Sequence, residues 1–337
     1  MASSAQKQSY PAPGLDTFPK LLQHNARMFT NKDAMREKEF GIWQSWTWSQ
    51  VADEVERFAL GLQANGVKAG DSVLIVGGNR PRTYWTMCAV QSLGAVPVPT
   101  YHDSVAAEMQ FVIEHSEARV IIAEDQEQVD KILDVKDRCP AVELVIYDDP
   151  RGMKGYDSEV IEIRDFVTVQ AQGEALRAKQ PNLYQELISQ GKGDDISIIL
   201  YTSGTTGKPK GVVLTYDNTL LTGYHGGLME GLTENDEILA YLPVAWIGDH
   251  IFSYAQSYTI GFCVNCPEST ETVAADMREI GPTYYFAPPR VFESLLTSVQ
   301  IRMEDAAPFK RKMFKYFMQV AKTTGIKLLE NKPVGIV

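Results

Sequence analysis

The sequence predicts an α/β fold, a mainly parallel sheet covered by helices, on two observations. Between about residues 49 and 147, short apolar segments of strand type alternate with helical segments. That βαβ rhythm favours parallel strands joined by crossover helices. The chain has 337 residues and is 44% hydrophobic, enough for one large or two ordinary cores.

Each element has its own signal. From Ser49 to Ala64 the apolar residues Val51, Val55, Phe58, Ala59 and Leu62 form a helical stripe. Thr47 and Ser49 are its candidate caps, and Gly66 and Gly70 end it. Strand Ser72 to Val76, helix Tyr84 to Leu93 and strand Ala95 to Val98 follow. Next come helix Ala106 to His115, strand Arg119 to Ala123, helix Gln126 to Asp137 and strand Val142 to Tyr147. Asp148 to Lys192 is more polar, with one helix expected near Gly173 to Ser189. Ile196 to Tyr201 and Val212 to Thr215 read as strands, and Asp217 or Asn218 as the cap of a helix running towards Met229.

Composition narrows the function classes. A net charge of −11 argues against general nucleic-acid binding. No uninterrupted apolar run approaches about 18 residues, so no membrane-spanning helix is expected. The polar stretch Met1 to Tyr10 lacks a hydrophobic signal core, which leads to the expectation of a cytoplasmic protein, and four cysteines suit a reducing compartment. Cys263-Val-Asn-Cys266 could be redox-active or half a zinc site. Cys88 and Cys139 are isolated and no close histidine pair completes four ligands, so two reduced, semi-buried thiols on a strand are expected.

The chemistry concentrates in Tyr201-Thr-Ser-Gly-Thr-Thr-Gly-Lys-Pro-Lys-Gly211, between two apolar strand-type segments. Glycines let a loop turn its N–H groups inward, a concave donor set suited to polyphosphate. Hydroxyls of Thr202, Ser203, Thr205 and Thr206 add donors, and Lys208 and Lys210 add charge-assisted contacts. Only two residues separate Gly204 from Gly207-Lys208, and Pro209 follows, so this is not a Walker A loop.

Ile199 to Val212, long and ungapped, resembles the signature loop of the AMP-binding, adenylate-forming superfamily. The likeness extends through Asp71 to Val76, Asn79-Arg80-Pro81, Gly94 to Pro99, Asp194-Asp195 and Tyr241-Leu-Pro-Val-Ala245. Ala287-Pro-Pro-Arg-Val-Phe-Glu293 is similar to a Val-Pro-Arg segment of long-chain fatty acyl-CoA synthetases, and the stretch through Lys310 to Lys315 is like an insertion of long-chain members. The resemblance implies two interlocked sheet-and-helix subdomains of the large N-terminal domain of such an enzyme. Residues 1–17 would be a polar tail. Residues 67–232 would form the first subdomain with phosphate loop 201–211, and residues 18–66 and 233–337 an incomplete second one on the acyl side.

The activity implied is that of an AMP-forming acid–thiol ligase. ATP activates a long-chain fatty acid to acyl-AMP with pyrophosphate release, and coenzyme A takes the acyl group. Magnesium would accompany the ATP. By the same likeness Thr202, Ser203, Gly204, Thr205, Thr206, Gly207 and Lys208 would hold ATP phosphates, and Lys210 would be catalytic. Many acyl-CoA synthetases place a histidine after Leu-Pro-x-x; here Trp246 stands there, and His250, next to Asp249, is the nearest histidine. Trp246 and His250 are therefore the candidate acyl-binding residues. The rival readings are a fatty acyl-AMP ligase loading a carrier protein and a non-catalytic nucleotide- or acyl-binding protein.

Two further expectations concern the later part of the chain. A Tyr-Gly-x-Thr-Glu segment and the superfamily's small C-terminal domain are not found, so a fragment unable to turn over alone is expected. Phe309, Met313, Tyr316, Phe317 and Val320 form an apolar stripe opposite Lys310, Arg311, Lys312 and Lys315. Such a helix either packs on its own domain or touches an anionic membrane.

Overall fold

The computed structural model describes residues 12–156, 161–202 and 209–335. The chain divides into two compact units, Met1–Tyr284 and Tyr285–Val337.

The first unit opens with α1 (Phe18–Met28), the hairpin β1 (Asp33–Glu39) and β2 (Ile42–Thr47), and α2 (Trp48–Ala64). Thr47 and Gln50 start α2 as a capping box: each side chain bonds the other's backbone N–H, at 3.3 and 2.8 Å. Then β3 (Ser72–Val76), α3 (Pro81–Ser92), β4 (Val96–Thr100), α4 (Ala106–Ser116), β5 (Val120–Ala123), α5 (Gln126–Val135) and β6 (Leu144–Tyr147) alternate as the sequence indicates. β7 (Glu162–Asp165) adds an edge strand that the sequence reading left out. The order β4-β3-β5-β6-β7 is all parallel, and its direction of winding reverses between β3 and β5. In open α/β sheets the carboxyl ends beside such a reversal form a crevice.

Strand periodicity distributes side chains over two cores. Val73, Ile75, Val120, Ile122, Leu144 and Ile146 enter one, with Phe18, Trp48, Phe58 and Tyr254. Leu74, Val76, Ile121, Ala123 and Val145 enter the other, with Met109, Val112 and Ile132. Each fully buried side chain of this size contributes roughly 1.5–3 kcal/mol. The first core also takes in α3, which buries every residue except Arg82. Pro81 takes its first position, where no N–H is needed, so this helix starts earlier than Tyr84.

The single helix expected near Gly173 to Ser189 is two, α6 (Phe166–Lys179) and α7 (Leu183–Gln190), with Pro181 between them. β8 (Ile196–Thr202) and β9 (Lys210–Thr215) form a two-stranded antiparallel ribbon, and α8 (Tyr216–Glu230) follows. The α8 cap is Thr215 rather than Asp217 or Asn218; Asn218 is its reciprocal partner. β10 (Glu237–Leu239) precedes a helical stretch of α9 (Ile247–Asp249), a π-helical turn (His250–Ala255) and α10 (Gln256–Ile260). β11 (Cys263–Cys266) and α11 (Val273–Ile280) close the unit.

A second sheet has the order β10-β11-β1-β2, with β1 parallel to β11 and antiparallel to β2. Cys263 and Cys266 are fully inside it rather than semi-buried. All four cysteines are free, and burial pushes the Cys263 thiol up to about 12. No group of three His, Cys, Asp or Glu side chains among the described residues could hold a metal ion. The redox and zinc alternatives for Cys263 and Cys266 thus have no support.

The second unit is a pair of helices, α12 (Pro289–Glu304) and α13 (Pro308–Leu329), neither of which buries a single residue.

Candidate active site

The β8–β9 ribbon carries the hydroxyl- and lysine-rich motif. Its register pairs Tyr201 with Gly211 and Thr202 with Lys210. Thr202 and Lys210 thus stand opposite each other as the last described pair of the ribbon, both exposed. Ser203, Gly204, Thr205, Thr206, Gly207 and Lys208 lie outside the described residues. Among the described residues Lys210 has no ion-pair partner, which leaves its ammonium available to an anion.

The ribbon is locked just below these two residues. The Tyr201 ring lies across Gly211, where an added Cβ would come within 3.3 Å of Tyr201 Cζ and 3.0 Å of Ile199 Cγ2. Tyr201 belongs to the α4 side of the sheet, where its hydroxyl shares a 2.7 Å hydrogen bond with His115 Nδ1. His115 in turn stacks on Phe111, at 5.4 Å between centroids. Sequence reasoning did not single out His115; it sits four residues after Phe111 on one helix face, the only local signal of the contact.

The other candidate residues lie on the segment from Leu242 to His250. The Trp246 N–H donates to Pro243 O at 2.9 Å, a turn that leads into α9. The half-buried Trp246 ring lies over Gly248, where a Cβ would fall 2.2 Å from Trp246 Cζ3. Only glycine at 248 permits that ring position.

Asp249 and His250 do not act as a pair. Asp249 is fully buried and receives the Tyr84 hydroxyl at 3.0 Å from both oxygens and Asn79 Nδ2 at 3.1 Å. Asn79 Nδ2 also donates to Leu242 O at 2.9 Å, tying the end of β3 to the Trp246 segment. Burial raises the Asp249 carboxyl to about 7 against the pull of its hydrogen bonds. His250 is also fully buried, its ring packed edge-on to Phe18 and tilted against Tyr254. Neither ring nitrogen has a hydrogen-bond partner among the described residues. Burial alone pushes this imidazole down to about 3, so it is neutral.

At the carboxyl end of the parallel sheet, Glu124 accepts from Gly78 N at 2.6 Å and Arg80 Nε at 3.2 Å. Arg80 also reaches Glu37 at 3.1 Å, so one guanidinium joins the two sheets. Its charge is met from both sides by Glu37 and Glu124.

A family profile described as AMP-binding enzyme matches residues 22–325. The chain belongs to that family. Among its relatives are a long-chain-fatty-acid–CoA ligase from Rattus norvegicus, 27% identical over 95% of this chain and 47% of the relative. A long-chain acyl-CoA synthetase from Arabidopsis thaliana is 30% identical over 82% of this chain and 41% of the relative. The chain thus spans less than half the length of these curated relatives. Among solved structures, the adenylation domain of a carboxylate reductase from Mycobacterium chelonae superimposes with a TM-score of 0.72 at 19% identity, covering 89% of this chain and 50% of that one. A long-chain-fatty-acid–CoA ligase from Archaeoglobus fulgidus gives 0.68 at 19% identity, covering 88% and 55%. The fold of this chain is therefore that of the N-terminal domains of adenylate-forming enzymes.

Proposed function

We propose that this chain supplies the ATP- and carboxylate-binding part of an AMP-forming long-chain fatty acid:CoA ligase. The observation that carries the reading is the cross-strand pair Thr202–Lys210, held at the exposed end of a locked ribbon in a chain of this family. The similarity to long-chain ligases supports the acyl substrate.

A fatty carboxylate is a poor acyl donor because an oxide would have to leave. Attack of a carboxylate oxygen on the α-phosphorus of ATP forms one O–P bond and breaks the bond to pyrophosphate. A thiolate of coenzyme A then attacks the acyl carbonyl, and AMP carries away the oxygen. Charge spreads over phosphoryl oxygens in the first step, so fixed donors contribute most of the acceleration. The Lys210 ammonium and Thr202 hydroxyl serve as such donors to the phosphates. Ser203 through Lys208 complete that set by their sequence. Trp246, held on Gly248, forms a wall for the acid. His250, neutral and enclosed, contributes packing rather than a proton. Magnesium finds no ligand cluster among the described residues, and no step is assigned to it.

The test is ATP binding by this chain, and ATP–pyrophosphate exchange by the complete ligase of which it is proposed to be part, against acids from acetate to oleate. Exchange that peaks with long acids supports the reading, and release of acyl-AMP by coenzyme A rather than by a carrier protein fixes the acceptor. A folded protein that binds no ATP overturns it.

A further inference from the structure

Asn79 lies in the short link between β3 and α3 and is held on both sides. Before it, Gly78 N donates to Glu124 at 2.6 Å; after it, Arg80 Nε donates to the same carboxylate at 3.2 Å. Its side-chain amide is therefore carried on a fixed piece of backbone, the condition for placing other groups accurately.

That amide faces three oxygens: Leu242 O at 2.9 Å, Asp249 Oδ1 at 3.1 Å and the Tyr84 hydroxyl at 2.9 Å. A carbonyl and an ionised carboxylate only accept, so Asn79 turns its nitrogen towards them, with two hydrogens to give. The Tyr84 hydroxyl donates its own hydrogen to Asp249, 3.0 Å from each carboxylate oxygen. The Asn79 hydrogens thus go to Leu242 O and Asp249 Oδ1, the two acceptors that have none.

Leu242 and Asp249 are the two ends of the segment that carries Trp246, so a single nitrogen closes this loop. Inside it, the Trp246 N–H donates to Pro243 O at 2.9 Å, a bond that shapes the turn without attaching it to the sheet. Gly248, under the Trp246 ring, has wide backbone freedom. Leu242, Tyr84 and Asp249 are buried within the unit Met1–Tyr284, so the arrangement depends on no exposed face.

We propose that Asn79 is a positioning residue for the acid: by closing the Leu242–Asp249 loop it sets where the Trp246 ring stands, and with it the preference among acids. The proposal rests on the ligase reading above. Tyr84 has a different task, satisfying the buried Asp249, and its loss leaves both Asn79 hydrogen bonds in place.

The experiment reads the ring and the reaction separately. On this chain, acrylamide quenching of Trp246 fluorescence, assigned by subtracting the Trp246→Phe protein, reports how firmly the ring is held. Asn79→Ala should raise that quenching constant by at least about twofold, the lower bound for losing one hydrogen bond. Tyr84→Phe should leave it unchanged while lowering the melting temperature. Asn79→Gln keeps the amide but carries it farther from the backbone; it should raise quenching too, and it decides the matter if Asn79→Ala does not fold. In the complete ligase, Asn79→Ala should raise the KM for long acids roughly two- to tenfold, with the KM for ATP unchanged and the optimum moved among acids from acetate to oleate. Tyr84→Phe should change neither. Quenching unaltered by Asn79→Ala and Asn79→Gln overturns the closed loop. Altered quenching with an unaltered acid profile overturns the link to acid choice, as do equal effects of Asn79→Ala and Tyr84→Phe, the mark of a purely structural role. No exchange with any acid by the complete wild-type protein overturns the ligase reading instead, and quenching then decides the loop.

Discussion

His115 Nδ1 lies 2.7 Å from the hydroxyl of Tyr201, the residue that immediately precedes Thr202 on the ribbon. Through this contact a helix on one face of the parallel sheet fixes the strand end that holds the candidate phosphate-binding pair.

His115→Phe keeps the stacking on Phe111 but removes the hydrogen bond. One such bond is worth about 0.5–1.5 kcal/mol net, so the KM for ATP should rise roughly two- to tenfold with the KM for the acid unchanged. Tyr201→Phe should give the same shift, and the double variant no more than either alone. Additive effects in steady-state exchange would show that the two residues act separately.

Lys210→Ala removes the exposed cation opposite Thr202. Loss of one charge-stabilising donor costs on the order of 10²–10³ in rate, so exchange should fall by that factor with little change in melting temperature. Lys210→Arg keeps the charge and should recover part of it. Unaltered exchange by the alanine variant would remove Lys210 from the catalytic set.

Asp249 and His250 should give stability opposite dependences on pH. The Asp249 carboxyl rises in the fold from 3.8 to about 7, so its contribution is full below pH 4 and lost as pH climbs to 7. The His250 imidazole falls from 6.5 to about 3, so its contribution is full above pH 6.5 and lost as pH drops. The two slopes oppose each other between about pH 4 and 6.5. His250→Phe should therefore expose the Asp249 slope, with a melting temperature that falls from pH 4.5 to 7.5. A profile as flat as the wild type would show that His250 carries no such load.

Gly248→Ala should displace the Trp246 ring. Overpacking of this kind costs about 1–3 kcal/mol, seen as a lower denaturation midpoint. Trp246→Ala leaves the backbone free and should alter the preference among acid chain lengths more than the KM for ATP. An unchanged acid profile would take Trp246 out of the acyl wall.

The centre of the parallel sheet was legible because its strands there are short runs of Val, Ile, Leu or Ala buried on both faces, as at Val73–Val76 and Val120–Ala123. The hairpin Asp33–Thr47 was not, because its partner strand lies far along the chain and Glu, Lys and Arg occupy much of β1. Glu162–Asp165 was missed for the same reason: three of its four residues are charged, and it is a strand only because β6 offers an edge. Of the candidate site, the motif from Thr202 to Lys210 was proposed from residue types alone, and the register places only its two ends, Thr202 and Lys210, opposite each other. The bond from His115 to Tyr201 and the enclosure of Asp249 by Asn79 and Tyr84 depend on tertiary packing that no local pattern encodes.

The pairing of β1 with β11 joins Arg36 to Asn265, 229 positions further along. The β3–β7 sheet is contiguous in sequence and can close as soon as residue 165 has left the ribosome. The β1–β2 hairpin cannot complete its sheet then. At about 5–20 residues per second it waits roughly 10 to 50 s for its parallel neighbour. During that interval the edge of β1 that β11 will cover stays unpaired, and an unpaired strand edge is open to mispairing.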